Sequence, residues 1–212
     1  LKFPEFERDM EFVGLVNDSD EYPLLMGDPG STDGLRFDKH EYRKITNEFV
    51  VPHSSAKHAK ASRESYMVGA LARVNLNAGK LHPKAKELVN ALGIKTPIYN
   101  PFLNTVAQLI ECIHSLEDSI DILEGLKETG VDQSEKVTVG LNENGDIPVN
   151  AGNGVGAVEV PRGILFHNYE VDDKGKIINA NCIIPTSQNV NNIEHDMKKY
   201  VPELLEQDKS EE

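Results

Sequence analysis

Cysteine is nearly absent from this chain. Cys112 and Cys182 are the only two in 212 residues, far apart and in unlike surroundings. No C-x-x-C occurs, which excludes a zinc ribbon or a redox dithiol built from this sequence alone. Two lone thiols suit a reducing, cytoplasmic setting. Basic charge is also short, with 22 Lys and Arg against 35 Asp and Glu and a net charge of −13. A general phosphate-backbone binder needs a clustered basic surface, so no nucleic-acid partner is expected. No apolar run approaches the ~20 residues that span a bilayer, so no membrane partner is expected. The start carries no signal-peptide pattern. It opens on Leu1 rather than Met, as a processed or cut piece of a longer protein would.

What is present can fold. At 39% hydrophobic, the chain has enough apolar mass for a core. No internal repeat and no Pro/Gly/Ser-rich linker divides it, so residues 1–212 are expected to form a single domain. Residues 38–48 read as a short helix capped by Asp38. Residues 82–92 read as a second helix, with Pro83 in its first turn and Gly93 as its stop. The strongest helix runs from about Asn104 to Gly130. Val106, Leu109, Ile110, Ile113, Leu116, Ile120, Leu123 and Leu126 recur at spacings of three and four. His114 falls largely on its opposite, polar side and is expected at the surface.

From Val137 the period changes to two. Val137–Leu141, Gly163–Val171 and Lys176–Ile184 read as antiparallel strands, with turns at Asn142–Asp146 and Asp172–Gly175. A last helix is expected from Val190 to about Leu205. The fold class is therefore α+β: long amphipathic helices packed with an antiparallel β region over about 137–184.

Most candidate chemistry fails on context. Gly152-Asn153-Gly154-Val155-Gly156 does not fit G-x-G-x-x-G and precedes a strand, so it reads as a backbone loop. His53 and His58 are five apart, with no acidic partner in register, and read as polar surface groups or as supporting groups behind a site. Glu194-His195-Asp196 reads as a charged helix face. Glu159-Val160-Pro161-Arg162-Gly163 is different. Pro161 fixes its own φ and pushes Val160 to extended geometry, and Gly163 lets the backbone approach a bulky object. Arg162 is thus held on a stiff support, with five donors and a permanent charge. Two readings stand open: Glu159 pairs with Arg162 to brace the turn, or Arg162 faces something anionic or redox-active. A small-molecule enzyme using Glu159 and Arg162 as an acid–base pair is a weaker third.

A family likeness is carried by Gly154-x-Gly156-x-x-Glu159-x-Pro161-Arg162-Gly163-x-Leu165-x-His167, then Gly175-x-Ile177, then Pro185-Thr186-x-x-Asn189. Together with Tyr66-Met67-Val68-Gly69-Ala70-Leu71-Ala72-Arg73, this text resembles the large (catalytic) subunit of nickel–iron hydrogenases. The wording is most similar to the cytoplasmic, cofactor-coupled and methanogen-type branch. The resemblance implies reversible dihydrogen oxidation at a nickel–iron centre whose iron carries cyanide and carbon monoxide. It implies that Pro161 and Arg162 pack against that centre, with Arg162 over the metal pair. It implies that Thr186 donates a hydrogen bond to a cyanide, and that the backbone carbonyl of Cys182 contacts a structural metal ion. The implied partners are an iron–sulfur small subunit and, beside it, a cofactor-reducing one.

The sequence departs from that pattern in one respect. The family holds its metals with four thiolates in two C-x-x-C pairs, and both pairs are absent here. The expectation is the central fragment of a large subunit. Alone it would bind no nickel–iron centre, show no hydrogenase activity and self-associate through apolar surface left uncovered. The alternative is a metal-free structural or assembly homologue.

Overall fold

A computed structural model describes residues 3–132, 134 and 140–210. Its middle is β1 (Glu11–Val16), hydrogen-bonded on one side to antiparallel β2 (Asp28–Ser31) and on the other to parallel β5 (Tyr66–Met67). Strand alternation sends Val13 and Leu15 into one core and Phe12 into another. β3 (Asn47–Phe49) and β4 (His58–Lys60) form a separate antiparallel pair. The expected helix over 38–48 is a shorter 3-10 helix, Lys39–Lys44, and Asp38 does cap it.

Immediately after β5 comes α1 (Ala70–Asn77), a short helix buried on nearly every side between β1 and a later helix. α2 (Pro83–Ala91) starts at Pro83 and stops before Gly93, whose φ is +66°. α3 (Asn104–Thr129) ends at Gly130, as its periodicity requires. Its apolar side is covered in the first half, where Ala107 and Ile110 are buried under α1 and α2. Further along, Leu116 and Leu123 are each 65% exposed.

The antiparallel region is a three-stranded sheet in the order β6 (Gly152–Val160), β7 (Gly163–Val171), β8 (Ile177–Ile183). Its first described strand starts at Gly152. Val137–Val139 lie outside the described residues, and Gly140 and Leu141 belong to no element. The glycine-rich stretch read as a loop is instead the edge strand β6. Its glycines are exposed, and in the ladder Gly154 pairs with Tyr169 and Gly156 with His167. The backbone ladder to β7, continuous from Gly152↔Val171 to Val160↔Gly163, holds them in the strand. The inward face of β7, Ile164 and Phe166, joins Tyr42 and Val13 in the largest core; Phe166 stacks on Tyr42 at 5.3 Å.

α4 (Pro185–Ser210) begins five residues before the expected Val190. Proline is at home in a helix's first turn, where its missing N–H costs nothing. Among the described residues, no helix is long and apolar enough to cross a membrane.

Candidate functional site

The register Val160↔Gly163 makes Pro161-Arg162 a two-residue hairpin loop. Such loops favour mirror-image turns with positive φ at a central residue, which proline cannot adopt. Arg162 does not adopt it either, since no non-glycine in the described chain has positive φ. The chain is redirected one residue later, at Gly163, with φ +133°. A Cβ there would lie 2.4 Å from Val68 Cγ2 and 2.9 Å from the Gly69 nitrogen. Gly69 answers from the other side: its Cβ would lie 3.2 Å from the Arg162 carbonyl oxygen. Two glycines thus let two backbones touch.

Asn189, one turn into α4, fastens this contact. Its Oδ1 accepts from the Val68 N–H at 2.8 Å, and its Nδ2 donates to the carbonyls of Val68 (3.2 Å) and Arg162 (3.4 Å). The preceding Gln188 is fully buried, donates to the Ile164 carbonyl at 2.7 Å and accepts from the Tyr66 hydroxyl at 3.0 Å. Tyr66–Gly69, Pro161–Ile164 and the start of α4 are therefore one bonded unit. Thr186 stands three residues before Asn189 and shares its helix face. Pro161, Arg162 and Thr186 are all exposed. Among the described residues the guanidinium of Arg162 makes no hydrogen bond and no ion pair.

Glu159 does not brace Arg162. The strand turns its carboxylate inward, where Oε2 accepts from Arg73 Nη1 at 2.9 Å and Oε1 accepts from the Leu15 N–H at 2.7 Å. Gly14 makes room for it, since a Cβ there would lie 3.0 Å from Oε1. Arg73 also binds Glu111 with both Nε and Nη2 at 2.6 Å, and donates Nη1 to the Val160 carbonyl at 2.9 Å. The Tyr22 hydroxyl donates to Glu111 at 2.8 Å. Burial pushes the Glu159 carboxyl up to about 7, against the pull of Arg73 and the Leu15 N–H. Burial, then the Glu111 charge, raises the Tyr22 phenol. This network backs a cleft of about 760 Å³ that runs from Pro161 along α3 to Cys112. Its signal in the sequence was one charge inside an otherwise apolar run: a buried arginine demands acidic partners.

Three further expectations are corrected. His114 is buried, not at the surface; its Nδ1 accepts from the His82 N–H at 3.0 Å and its ring packs on Tyr22 at 4.8 Å. α2 and the Tyr22 loop cover the side of α3 that the stripe alone left open. Burial lowers its pKa. His58 is likewise buried, and the acidic partner that local spacing hid is Glu194. Glu194-His195-Asp196 is not merely a charged face either, because Asp196 is buried and accepts from Arg8 at 2.6 Å.

Cys182 is exposed on β8, its Sγ 3.5 Å from both Tyr169 Oη and His167 Nδ1. Cys112 is exposed on α3. Among the described residues, the His, Cys, Asp and Glu side chains close enough to share one ion are His53, His58 and Glu194, without sulfur. The donors of this chain therefore do not fit a centre that needs thiolates.

Several helices, one long, packed against antiparallel sheets around a proline–arginine hairpin tip define a hydrogenase large-subunit type of fold. The family model for nickel-dependent hydrogenases matches residues 39–202. The alpha chain of sulfhydrogenase 1 from Pyrococcus furiosus is 33% identical over 190 residues, covering 89% of this chain and 42% of that protein. A component of the F420-non-reducing hydrogenase vhu from Methanocaldococcus jannaschii is 31% identical over 199 residues, covering 88% and 45%. A solved NAD+-reducing [NiFe]-hydrogenase in the H2-reduced state superposes with a TM-score of 0.69 at 23% identity, covering 91% of this chain and 43% of that one. The Ni-Fe-Se hydrogenase from D. vulgaris Hildenborough gives 0.53 at 20%, covering 85% and 43%. The chain belongs to the nickel-dependent hydrogenase family, as a homologue of its large subunits. It spans less than half the length of the relatives it matches.

Proposed function

We propose that this chain is the central part of the catalytic subunit of a cytoplasmic nickel–iron hydrogenase, which oxidises dihydrogen reversibly. It contributes the hairpin tip and the start of α4 to the surroundings of a nickel–iron centre with cyanide and carbon monoxide ligands. The thiolates come from polypeptide outside these residues. The observation that carries this reading is Arg162: a guanidinium with no partner among the described residues, on a turn fixed by Pro161, Gly163 and Asn189. Charge and five donors held ready in this way suit an acceptor brought from outside. Thr186 offers a hydroxyl from the same helix face that clamps the tip. Cys182, through its carbonyl, would serve a structural metal ion. Electrons would pass to an iron–sulfur subunit, and in a cofactor-coupled enzyme onward to a cofactor-reducing one.

The test is Arg162→Lys in the intact enzyme. Turnover should fall severely while the fold is kept, because lysine cannot copy the planar fork. Near-normal turnover would remove Arg162 from the site. Metal analysis of the 212-residue chain tests the division of labour. Stoichiometric nickel and iron, with infrared bands of metal-bound cyanide and carbon monoxide, would show that the chain needs no outside thiolates.

The second reading, a metal-free structural homologue, draws on the sulfur-free donor set described above. The flanking reading frame separates the two. C-x-x-C motifs on either side support the catalytic subunit, and unrelated flanks support the structural homologue.

A further inference from the structure

Far from the hairpin tip, three side chains converge where the β3–β4 region meets α4. His53 Nε2 and His58 Nε2 lie 3.0 and 3.3 Å from the same oxygen, Oε2 of Glu194. The three ligand atoms are all within 4.8 Å of one another, and the two rings are 5.7 Å apart. His58 is 1% exposed, yet neither of its ring nitrogens has a hydrogen-bond partner. The short approach of its Nε2 to Glu194 is out of line for a hydrogen bond. A buried imidazole always has one lone pair and at least one N–H to satisfy, or two N–H groups when charged, so this group is missing something.

The geometry points to a binding site for a single divalent transition-metal ion of the zinc class, held by His53, His58 and Glu194. Two imidazoles and a carboxylate are borderline ligands that such an ion prefers, whereas magnesium and calcium favour oxygen-only shells. A tetrahedral zinc site sets its donors about 3.4 Å apart. The two nitrogen–oxygen separations, 3.0 and 3.3 Å, already lie near this value, and His53, 60% exposed at its side chain, has the freedom to adjust the third. A cation takes the lone pair that His58 turns toward Glu194 and leaves one N–H as the remaining unpaired group. Glu194 is prepared for the task. Lys198 holds its other oxygen, Oε1, and leaves Oε2 to face the imidazoles. The fourth position opens to solvent beside His53. Bound there, the ion would tie the 53–58 segment to α4, five residues beyond the asparagine that clamps the hairpin tip. None of these residues takes part in the proposed nickel–iron surroundings, so the two readings stand or fall separately.

The test uses the 212-residue chain stripped of metal, titrated with Zn²⁺ against a chromophoric chelator and separately with Co²⁺. One equivalent should bind per chain and raise the melting temperature. His53→Ala and Glu194→Gln should each weaken binding at least about tenfold and abolish the metal-induced rise. The metal-free melting of His53→Ala should be unchanged, since that side chain is exposed. The cobalt form should show visible d–d bands without thiolate charge transfer. No binding, equal affinity in either variant, or a thiolate band lost in Cys112→Ser or Cys182→Ser would overturn the proposal.

Discussion

Arg73 Nη1 meets Glu159 Oε2 at 2.9 Å across 86 positions of sequence, with both side chains almost wholly out of solvent. Arg73 is also the cation for Glu111, and through the Val160 carbonyl it supports the strand that leads to Pro161. Arg73→Leu would leave two carboxylates without their cation. Unfolding in urea should show a loss of about 3–5 kcal/mol, the usual cost of breaking a buried ion pair from one side. A loss below about 1 kcal/mol would mean that water reaches the network.

Glu159 should also make stability depend on pH. Folding raises its pKa from 4.5 to about 7. Between these values the native state keeps a proton that the unfolded chain has released. The contribution of this group to stability therefore falls as pH rises from 4.5 to 7, and is zero below 4.5, where both states are protonated. The shift corresponds to about 3 kcal/mol. Glu159→Gln cannot titrate, so relative to wild type the variant should gain about that much between pH 4.5 and 7.5. Paired denaturation curves cancel the other carboxylates. A flat difference would show that Glu159 stays ionised throughout.

Gly163→Ala should be one of the most damaging single-methyl additions in the chain. It strains a φ of +133° and drives a Cβ to 2.4 Å from Val68 and 2.9 Å from backbone. The expected cost is roughly 2–4 kcal/mol. Gly156→Ala is the control, because nothing lies within 4 Å of its added Cβ. It should stay within about 0.5 kcal/mol of wild type. Calorimetry of both separates the hairpin tip from the rest of the ladder.

The exposed side of α3 bears on solution behaviour. Leu109, Leu116, Ile120, Leu123 and Leu126 form one stripe and are between 44% and 65% exposed. Apolar patches of this kind seek cover. Light scattering should show a mass above 23.5 kDa that grows with concentration. The double variant Leu116→Glu and Leu123→Glu should return it to monomer. A concentration-independent monomer in the wild type would overturn this expectation.

Local pattern made much of the fold legible. The limits of α2 and α3 and the Asp172–Gly175 turn follow from short-range stereochemistry, and the structure reproduces them. What escaped was set by distant partners. His53 looked unaccompanied because Glu194 is 141 positions away. Glu159 looked free for Arg162 because its true cation sits on α1. The glycines of β6 looked like a loop because the backbone ladder that makes them a strand is supplied by β7. His114 sits on the polar side of its helix by periodicity, and only packing of α2 and Tyr22 buries it. Residue spacing reports what a segment can be; the assignment of partners needs the third dimension.

The bonds of Asn189 carry a consequence for how such a chain can change over time. One carboxamide joins the segments at Val68, at Arg162 and in α4, so none of the three can drift alone. An altered backbone at any one would leave unpaired groups at the other two. Tyr66–Gly69, Pro161–Ile164 and Pro185–Asn189 should therefore be inherited as a block, with substitutions tolerated only in matched sets. Positions outside this block, such as the solvent-facing half of α3, are left free to vary one residue at a time.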